Sequence, residues 1–134
     1  MITLEPGVAK LFLDTNLGYI ATVMADNSPQ ITPVWIDLVD DVILVNTAQG
    51  RVKQKNVSRD PRVAISIVDK NNPYHMVTVR GKVIEQTDVG ANVHIDKMAK
   101  KYLGVEKYPF ARPGEKRILL KILPDKVHHM VPPS

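Results

Sequence analysis

The chain has 134 residues, 44% of them hydrophobic and none of them cysteine, so we expect one domain over residues 1–134 without disulfide bonds. The apolar stretches are too short to cross a bilayer and the first residues lack the features of a signal peptide, which predicts a cytoplasmic protein without membrane association. The net charge of +4 favours an anionic partner such as a phosphate, a polycarboxylate or a nucleic acid, although ordinary globular proteins are often basic as well.

The first part of the chain predicts a helix followed by strands. Residues 5–15 are expected to form a short helix that lids a barrel, because Pro6 suits a first helical turn and apolar residues recur on one face. The next apolar segments are separated by turn-forming residues, which predicts three consecutive antiparallel strands in a meander. Their expected bounds are Leu17–Met24, Gln30–Val39 and Val42–Asn46.

The middle of the chain predicts a basic helix and two longer strands. Positive residues recur every four positions before Asp60 and Pro61, which predicts a short helix that stops there. The alternating segment Arg62–Asp69 predicts one strand. Tyr74–Gln86 predicts a longer strand, in which the interior Gly81 marks a bulge or bend.

The last part of the chain predicts a helix, a long loop and a hairpin. Apolar residues trace one helical face over Ala91–Tyr102, and the loop Val105–Glu115 is longer than usual connections. Lys116–Leu123 and Lys126–Val131 are expected to pair as a final hairpin. About seven short strands and three short helices imply a mainly β fold, a closed or partly closed antiparallel barrel with helices at its open ends.

The start of the predicted second helix is a candidate phosphate site. Arg51 and Lys53 lie where the helix dipole disfavours positive side chains unless an anion is bound. Free backbone N–H groups, a Thr47 hydroxyl expected to cap the helix and these cations would together form a phosphate cradle. A solvated basic helix face explains the same residues, so both interpretations stand at this point.

The segment Ile31–Trp35 is a candidate site for a flat ligand. Pro33 lies inside an apparent strand, where its missing N–H breaks a ladder hydrogen bond and predicts a sheet edge or gap. Such a gap beside Trp35, the only tryptophan, would let a flat aromatic ligand approach the backbone. A bulge with Trp35 in the core explains the residues equally well.

The histidines and the motif content argue against metal binding and hydrolysis. The adjacent His128 and His129 must point to opposite faces of a strand, and His94 and Asp96 face different directions on a helix. The sequence has no nucleophile elbow, catalytic cysteine, Walker loop or dinucleotide-binding glycine motif. We therefore predict no metal site and assign no catalytic residue.

Three groups of residues resemble the pyridoxamine-phosphate-oxidase-like split-barrel flavoproteins, and the likeness covers nearly the whole chain. The groups are Asp26–Pro29 with Thr32–Trp35, Gly50–Asn56 with Arg59–Arg62, and Lys100–Gly104 with Tyr108–Phe110 and Arg112–Glu115. Within that superfamily the sequence is most similar to the deazaflavin-dependent branch. The resemblance implies an FMN-binding-like split β-barrel with a Greek-key-type antiparallel arrangement. It also implies a homodimer with two cofactor sites at the interface, each built from both chains.

The resemblance further implies roles for individual residues. Those implied to line or adjoin the isoalloxazine-like ring are Thr32, Pro33, Val34 and Trp35, and those implied to flank the ribityl chain are Asn46 and Thr47. Those implied to hold the phosphate are Arg51, Lys53, Lys55 and Asn56. Those implied to cover the ring from the second subunit are Tyr108, Phe110 and Arg112.

The cofactor implied by the resemblance is the deazaflavin coenzyme F420. The protein would then be an oxidoreductase that transfers a hydride between this coenzyme and a small organic acceptor. The cofactor performs the redox step, and the protein supplies orientation, water exclusion and charge. The polyglutamyl tail of F420 would suit a basic rim. FMN is the alternative cofactor, because the phosphate cradle would serve it equally well.

Two other classes of function are considered. A nucleic-acid-binding barrel would agree with the basic charge, but the seven aromatic residues do not show the exposed alternation with basic residues that base stacking requires. We therefore predict a small-molecule substrate and no nucleic-acid partner. A carrier that binds the cofactor without turning over a substrate stays open.

Overall fold

The computed structural model describes residues 2–133, which form seven strands and three helices. In chain order these are α1 (Pro6–Leu13), β1 (Gly18–Val23), β2 (Pro29–Val34), β3 (Asp37–Val39), β4 (Val42–Ala48), α2 (Val52–Arg59), β5 (Arg62–Asp69), β6 (Asn72–Thr87), α3 (Ala91–Leu103) and β7 (Arg117–Met130). All seven strands pair antiparallel in one sheet, in the order β2-β1-β5-β6-β7-β4-β3. The predicted mainly β split barrel is confirmed. None of the three helices is long and apolar enough to span a membrane.

A short connection joins the two edges of the sheet. β2 pairs with β1 and β3 pairs with β4, so these two strands lie at opposite edges. Only Trp35 and Ile36 separate them along the chain, which requires the sheet to curl until its edges approach each other. The predicted strand Gln30–Val39 is therefore two strands, and the predicted meander is wrong. The physical reason is Ile36, whose complete burial turns the chain into the barrel core between the two edges.

Pro33 lies on an edge strand, as its sequence position predicts. It is paired with Tyr19 of β1, and β2 has no neighbouring strand on its other side in the sheet order. A residue without an N–H group is tolerated at such an edge, because no ladder hydrogen bond is lost there. The edge leaves Pro33 exposed next to Trp35.

The barrel interior is filled by alternate strand residues and by one face of α1. Every second residue of β5 is buried over Val63–Ile67. From α1, Val8, Leu11 and Phe12 join the same core cluster, and burial of each such side chain stabilises the fold by about 1.5–3 kcal/mol. The helix therefore closes one end of the barrel, which confirms the predicted lid.

The C-terminal strand β7 is continuous, so the predicted final hairpin of Lys116–Leu123 and Lys126–Val131 is wrong. β7 pairs with β6 along most of its length, and the register shifts where Pro124 lies opposite Gly81. A Cβ atom at Gly81 would overlap the carbonyl oxygen of Leu123, so only glycine allows this close approach. The bulge accommodates Pro124 within the strand, whereas the sequence pattern predicts a turn there. The predicted bulge at Gly81 is confirmed.

The end of α3 holds the connection between β2 and β3 in place. The Lys101 Nζ donates to the carbonyl oxygens of Phe12 and Ile36, both at 2.7 Å. The Tyr102 hydroxyl donates to the Asn16 carbonyl at 2.7 Å and accepts the Ile36 N–H at 3.1 Å. Burial lowers the pKa of Lys101 to about 8 and raises the pKa of Tyr102 to about 12. These bonds fix the segment that carries the tryptophan.

Candidate functional site

A cavity of about 300 Å³ opens beside the connection between β2 and β3. It is bounded by that connection, by the starts of α2 and β7, by α3 and by the loop that follows α3. Its lining combines aromatic and aliphatic side chains with three cations. The lining residues are Leu17, Pro33, Val34, Trp35, Asn46, Arg51, Lys53, Ile95, Tyr108, Phe110 and Arg117.

One wall of the cavity is aromatic. Trp35 stacks on Tyr102 with ring centroids 5.5 Å apart and planes at 6°. Tyr108 meets Trp35 edge-on at 5.9 Å, and Phe110 meets Tyr108 edge-on at 5.7 Å. Rings held in these orientations lose little conformational freedom on binding and present flat apolar surface to a flat ligand.

Part of the cavity lining is positively charged. Arg51 occupies the N-cap position of α2, and the first turn of that helix contains no acidic residue. The pKa of Lys53 lies below its ordinary value of 10.5, because burial disfavours its charged form and the charges of Arg51 and Arg117 add to the effect. Cations forced together near a helix N-terminus raise the free energy of the site until an anion binds among them.

Among residues 2–133, one carboxylate, that of Glu115, forms salt bridges with these cations. One of its oxygens lies 2.6 Å from the Arg117 guanidinium, and the other lies 3.4 Å from Arg51. Burial alone would raise the pKa of Glu115, but the hydrogen bond from Arg117 and the neighbouring arginine charges lower it. The group of Arg51, Lys53, Arg117 and Glu115 therefore carries an excess of two positive charges at neutral pH, which suits a phosphoryl group.

Arg117 is the most firmly held of the three cations. Its side chain is only 6% exposed, and its Nε donates to the Asn46 Oδ1 at 2.9 Å. Its guanidinium lies 5.1 Å from the centre of the Tyr108 ring. Sequence reasoning missed this residue, because it follows Glu115 and Lys116 at the end of a charged loop and belongs to no recognised motif. The signal that could have found it is an arginine directly followed by the apolar run Ile118–Leu120.

A family model for pyridoxamine 5'-phosphate oxidase matches residues 4–131. The chain belongs to this family. None of the curated proteins compared with the sequence matches it.

Solved structures agree with the family in fold. An F420 reductase superposes with a TM-score of 0.82 at 24% identity, covering 93% of this chain and 98% of its own. A conserved hypothetical protein of Mycobacterium tuberculosis has a TM-score of 0.73 at 21% identity, with 97% and 86% covered. General stress protein 26 of Bacillus anthracis has a TM-score of 0.68 at 19% identity, with 92% and 91% covered. At these identities the similarity shows the shared fold.

The structure brings together most of the residues that the family resemblance implicates. Those that line the cavity are Pro33, Val34, Trp35, Asn46, Arg51, Lys53, Tyr108 and Phe110. Tyr108 and Phe110 line the cavity of their own chain, because the loop after α3 folds back onto the connection between β2 and β3, where Tyr108 contacts Trp35. Their covering of the ring from the second subunit stays a prediction.

Two residues implicated in phosphate binding do not line the cavity. Lys55 is exposed on α2. Asn56 is buried, and its amide nitrogen donates to the Thr22 hydroxyl at 3.0 Å while its amide oxygen accepts from Arg59 at 2.8 Å. Because its polar atoms are occupied within the fold, Asn56 joins α2 to β1 rather than facing a ligand.

The remaining implicated residues lie near the cavity but outside its lining. Thr47 does not cap α2, since it is completely buried in β4 and Arg51 takes the N-cap position. The hydroxyl oxygens of Thr32 and Thr47 are buried without a hydrogen-bond partner in the part of the chain described. Arg112 lines a smaller cavity of about 210 Å³ that shares Tyr108 and Arg117 with the first. Among residues 2–133 no three His, Asp or Glu side chains are grouped to hold a metal ion.

Proposed function

We propose that this protein is an oxidoreductase that binds the deazaflavin F420 in the cavity and transfers a hydride between it and a small organic acceptor. The observation that carries the proposal is a single cavity lined both by flat aromatic rings and by three cations, Arg51, Lys53 and Arg117. The cofactor consists of a flat ring system joined to a phosphoryl group, so its apolar and anionic parts match the aromatic and cationic parts of the cavity lining. We also propose that residues 1–134 form one cofactor-binding domain.

The chemistry of the donor groups fits such a cofactor. Arginine and lysine side chains form the strongest hydrogen bonds to phosphate oxygens, because donor and acceptor are both charged. Lys53 forms no salt bridge among the residues described, and burial and the charges of Arg51 and Arg117 lower its pKa. A phosphoryl group would supply the negative charge that Lys53 lacks. Pro33, Val34 and Trp35 offer apolar surface for the ring at the edge of the sheet.

The second subunit of the proposed homodimer would complete the cavity. A volume of about 300 Å³ lies at the lower limit of ligand pockets. Leu17, which lines the cavity, is 43% exposed, and Tyr19 and Ile31 on β1 and β2 are 42% and 64% exposed. Apolar side chains grouped on one sheet face are stabilised when another surface covers them. We expect Ile31→Asp to give a monomer by light scattering and to weaken cofactor binding; a variant that stays dimeric would contradict this arrangement.

When bound, F420 supplies two-electron hydride transfer through its carbon at position 5. The chain's own contribution is binding and orientation. The stacked Trp35 and Tyr102 form a rigid wall, Tyr108 and Phe110 exclude water, and the cations hold the phosphoryl end. Hydride transfer depends on such alignment, so no side chain is assigned as a catalytic acid or base.

Three lines of support favour F420 over FMN. The matched sequence segments resemble the deazaflavin-dependent branch, and one structural neighbour is named an F420 reductase. The excess of basic residues suits the carboxylates of a polyglutamyl tail. FMN is the alternative, because its phosphate would meet the same cations.

A titration of the purified protein with F420, FMN and riboflavin tests the proposal. Trp35 is the only tryptophan and lines the cavity, so its fluorescence reports occupancy directly. We expect F420 to bind most tightly and riboflavin to bind weakly. Tight binding of FMN alone would show that FMN rather than F420 is the cofactor and would leave the proposed site unchanged. Binding of none of the three would overturn both the proposed cofactor and the proposed site.

A second experiment separates an enzyme from a carrier. Protein loaded with reduced F420 is mixed anaerobically with enones, quinones or tetrapyrroles, and cofactor absorbance is followed. Reoxidation that requires both the protein and an acceptor supports catalysis. Tight binding without reoxidation by any acceptor would support a carrier.

A further inference from the structure

A row of buried and half-buried polar side chains leads from the cavity into the packing between α3 and the sheet. Arg117 Nε lies 2.9 Å from Asn46 Oδ1, Asn46 Nδ2 lies 3.2 Å from His94 Nδ1, and His94 Nε2 lies 3.1 Å from Asp37 Oδ2. His94 and Asp37 are 8% and 4% exposed, and neither lines the cavity. Buried polar groups are costly unless each has a partner, so this row specifies one arrangement of its members.

The orientation of the Asn46 amide follows from its two outer partners. Its oxygen faces the Nε of Arg117, which can only donate, and its nitrogen faces the carbonyl oxygen of Ala91 at 2.8 Å, which can only accept. The reversed amide would place donor against donor and acceptor against acceptor. Asn46 therefore presents an N–H group to His94.

The tautomer of His94 follows from the amide. Because Asn46 donates, the Nδ1 of His94 must accept and therefore carries no proton. A neutral imidazole then has its proton on Nε2, which donates to Asp37. Burial alone would raise the pKa of Asp37, but the bond from His94, the backbone N–H of Leu38 and the charge of Lys97 lower it to about 2. The ionised carboxylate can only accept, so it selects the same tautomer.

We propose that His94, held in its Nε2-protonated tautomer by Asp37, is a positioning residue that fixes Arg117 for anion binding through the Asn46 amide. The inference rests on the proposed function for the identity of the anion, but the geometry it concerns exists in the ligand-free chain. With the other tautomer, the Nδ1 proton would oppose the amide nitrogen of Asn46. The amide would then turn, and Arg117 would lose the acceptor that aims its guanidinium into the cavity.

Two substitutions separate positioning from simple filling of space. His94→Asn places an amide oxygen where Nδ1 lies, so it keeps the acceptor for Asn46 and loses the bond to Asp37. His94→Gln places its amide where Nε2 lies, so it keeps a donor for Asp37 and loses that acceptor. If His94 only fills space, the two variants behave alike. If it positions Asn46, H94N resembles the wild type more closely than H94Q.

The first readout needs no ligand. Imidazole ¹⁵N spectra of the full chain are expected to show an unprotonated Nδ1 and a protonated Nε2 for His94, and the Arg117 Nε–H is expected to exchange slowly with water. H94Q should accelerate that exchange at least about tenfold, as for loss of a buried hydrogen bond, and H94N should not. A protonated Nδ1 in the wild type, or equal exchange in both variants, would overturn the inference.

The second readout uses FMN and riboflavin as probes. H94Q should reduce the preference for FMN about tenfold, which is the effect of losing one well-placed hydrogen bond, and should have no further effect when Arg117 is already Met. If the wild type binds neither probe and no F420 either, the proposed function fails while the ligand-free spectra still decide the role of His94. An unchanged preference for FMN in H94Q, with FMN bound by the wild type, would overturn the inference.

Asp37→Asn provides a further test that does not alter the imidazole. An asparagine at this position can donate or accept, so selection of the tautomer then rests on the Asn46 amide alone, and a fraction of the Nδ1-protonated form of His94 should appear in the spectra. Lys97→Gln is the matched control, since the Lys97 Nζ also lies 3.3 Å from Asp37 Oδ2 but, among the residues described, Lys97 forms no hydrogen bond with the histidine and does not line the cavity. K97Q should leave the tautomer unchanged. A single tautomer in D37N would contradict selection by Asp37.

Discussion

Two cations at the start of α2 and one at the start of β7 line the same cavity, but their side chains are held differently. Arg51 and Lys53 follow one another along a helix start, and the Arg51 side chain is 42% exposed. Arg117 is 6% exposed and has its Nε and one Nη fixed by Asn46 and Glu115. The helix supplies charge, and the strand supplies a charge in a defined orientation.

This difference indicates that the contribution of a cation to the affinity for an anion depends on how firmly its side chain is held. An exposed side chain interacts with an anion through water and loses rotamer freedom on binding. A buried guanidinium has lost that freedom during folding and acts in a less polar environment, so each hydrogen bond it forms is stronger. The effects of substitution should therefore follow burial rather than position in a basic segment.

The largest effect is expected for Arg117→Met, which keeps bulk and removes charge. Affinity for the phosphorylated cofactor should fall roughly 10- to 100-fold, because a charge-assisted hydrogen bond contributes about 1.5–3 kcal/mol. The variant should also be less stable by about 1–3 kcal/mol in urea, because Glu115 and Asn46 lose a buried partner. Titration with the dephosphorylated analogue is the control. Equal losses for both ligands would contradict phosphate binding by this residue.

An intermediate effect is expected for Lys53→Met, with a characteristic pH dependence. Affinity at neutral pH should fall about tenfold. Burial lowers the pKa of Lys53 below 10.5 in the free protein. As the pH rises through that lowered pKa, the amine loses its proton and phosphate affinity declines earlier than for an exposed lysine. Cofactor titrations at increasing pH should show this decline in the wild type and not in K53M. The same decline in both proteins would show that a group other than Lys53 causes it.

A small effect of opposite sign is expected for Glu115→Gln. The substitution removes the carboxylate that lies between Arg51 and Arg117 and leaves amide atoms of similar size. Affinity for the phosphorylated cofactor should rise about threefold, within the range of the ion pair with Arg51, whose side chain is 42% exposed. Isothermal titration at low and high salt checks the origin of the gain, which should shrink as salt screens the charges. Weaker binding would mean that Glu115 mainly orients Arg117.

The smallest effect is expected for Lys55→Ala. This side chain is exposed and outside the cavity lining, although it belongs to the basic segment that the sequence resemblance assigns to the phosphate. Affinity should change by less than about twofold. A loss as large as that of K53M would show that charge along α2 matters more than burial, and would reverse the comparison between the helix and the strand.

The fold was predictable from local patterns, although the agreement in strand number hides two errors. Residues 35 and 36 are not turn formers, so the segment across them reads as one strand, whereas burial of Ile36 divides it into β2 and β3. Pro124 and Asp125 read as a turn, whereas the bulge opposite Gly81 keeps β7 continuous. Both errors concern partners on other strands, which a local pattern does not specify.

The site was predictable only where its residues are close in sequence. The aromatic segment around Pro33 and Trp35 and the cations Arg51 and Lys53 each lie within a few positions of one another, and all four line the cavity. Arg117 meets Asn46 across 71 positions. That contact arises from the pairing of β4 with β7 and leaves no mark in the spacing of residues.

The two-residue link between β2 and β3 has a consequence for how the chain folds. In the finished sheet these neighbours in sequence are separated by β1, β5, β6, β7 and β4, so the barrel closes only after the last strand has inserted. Closure over such long sequence separations is slow, because chain entropy is lost before the contacts form. The ligand slot, which spans this seam, should therefore be among the last parts of the molecule to assemble.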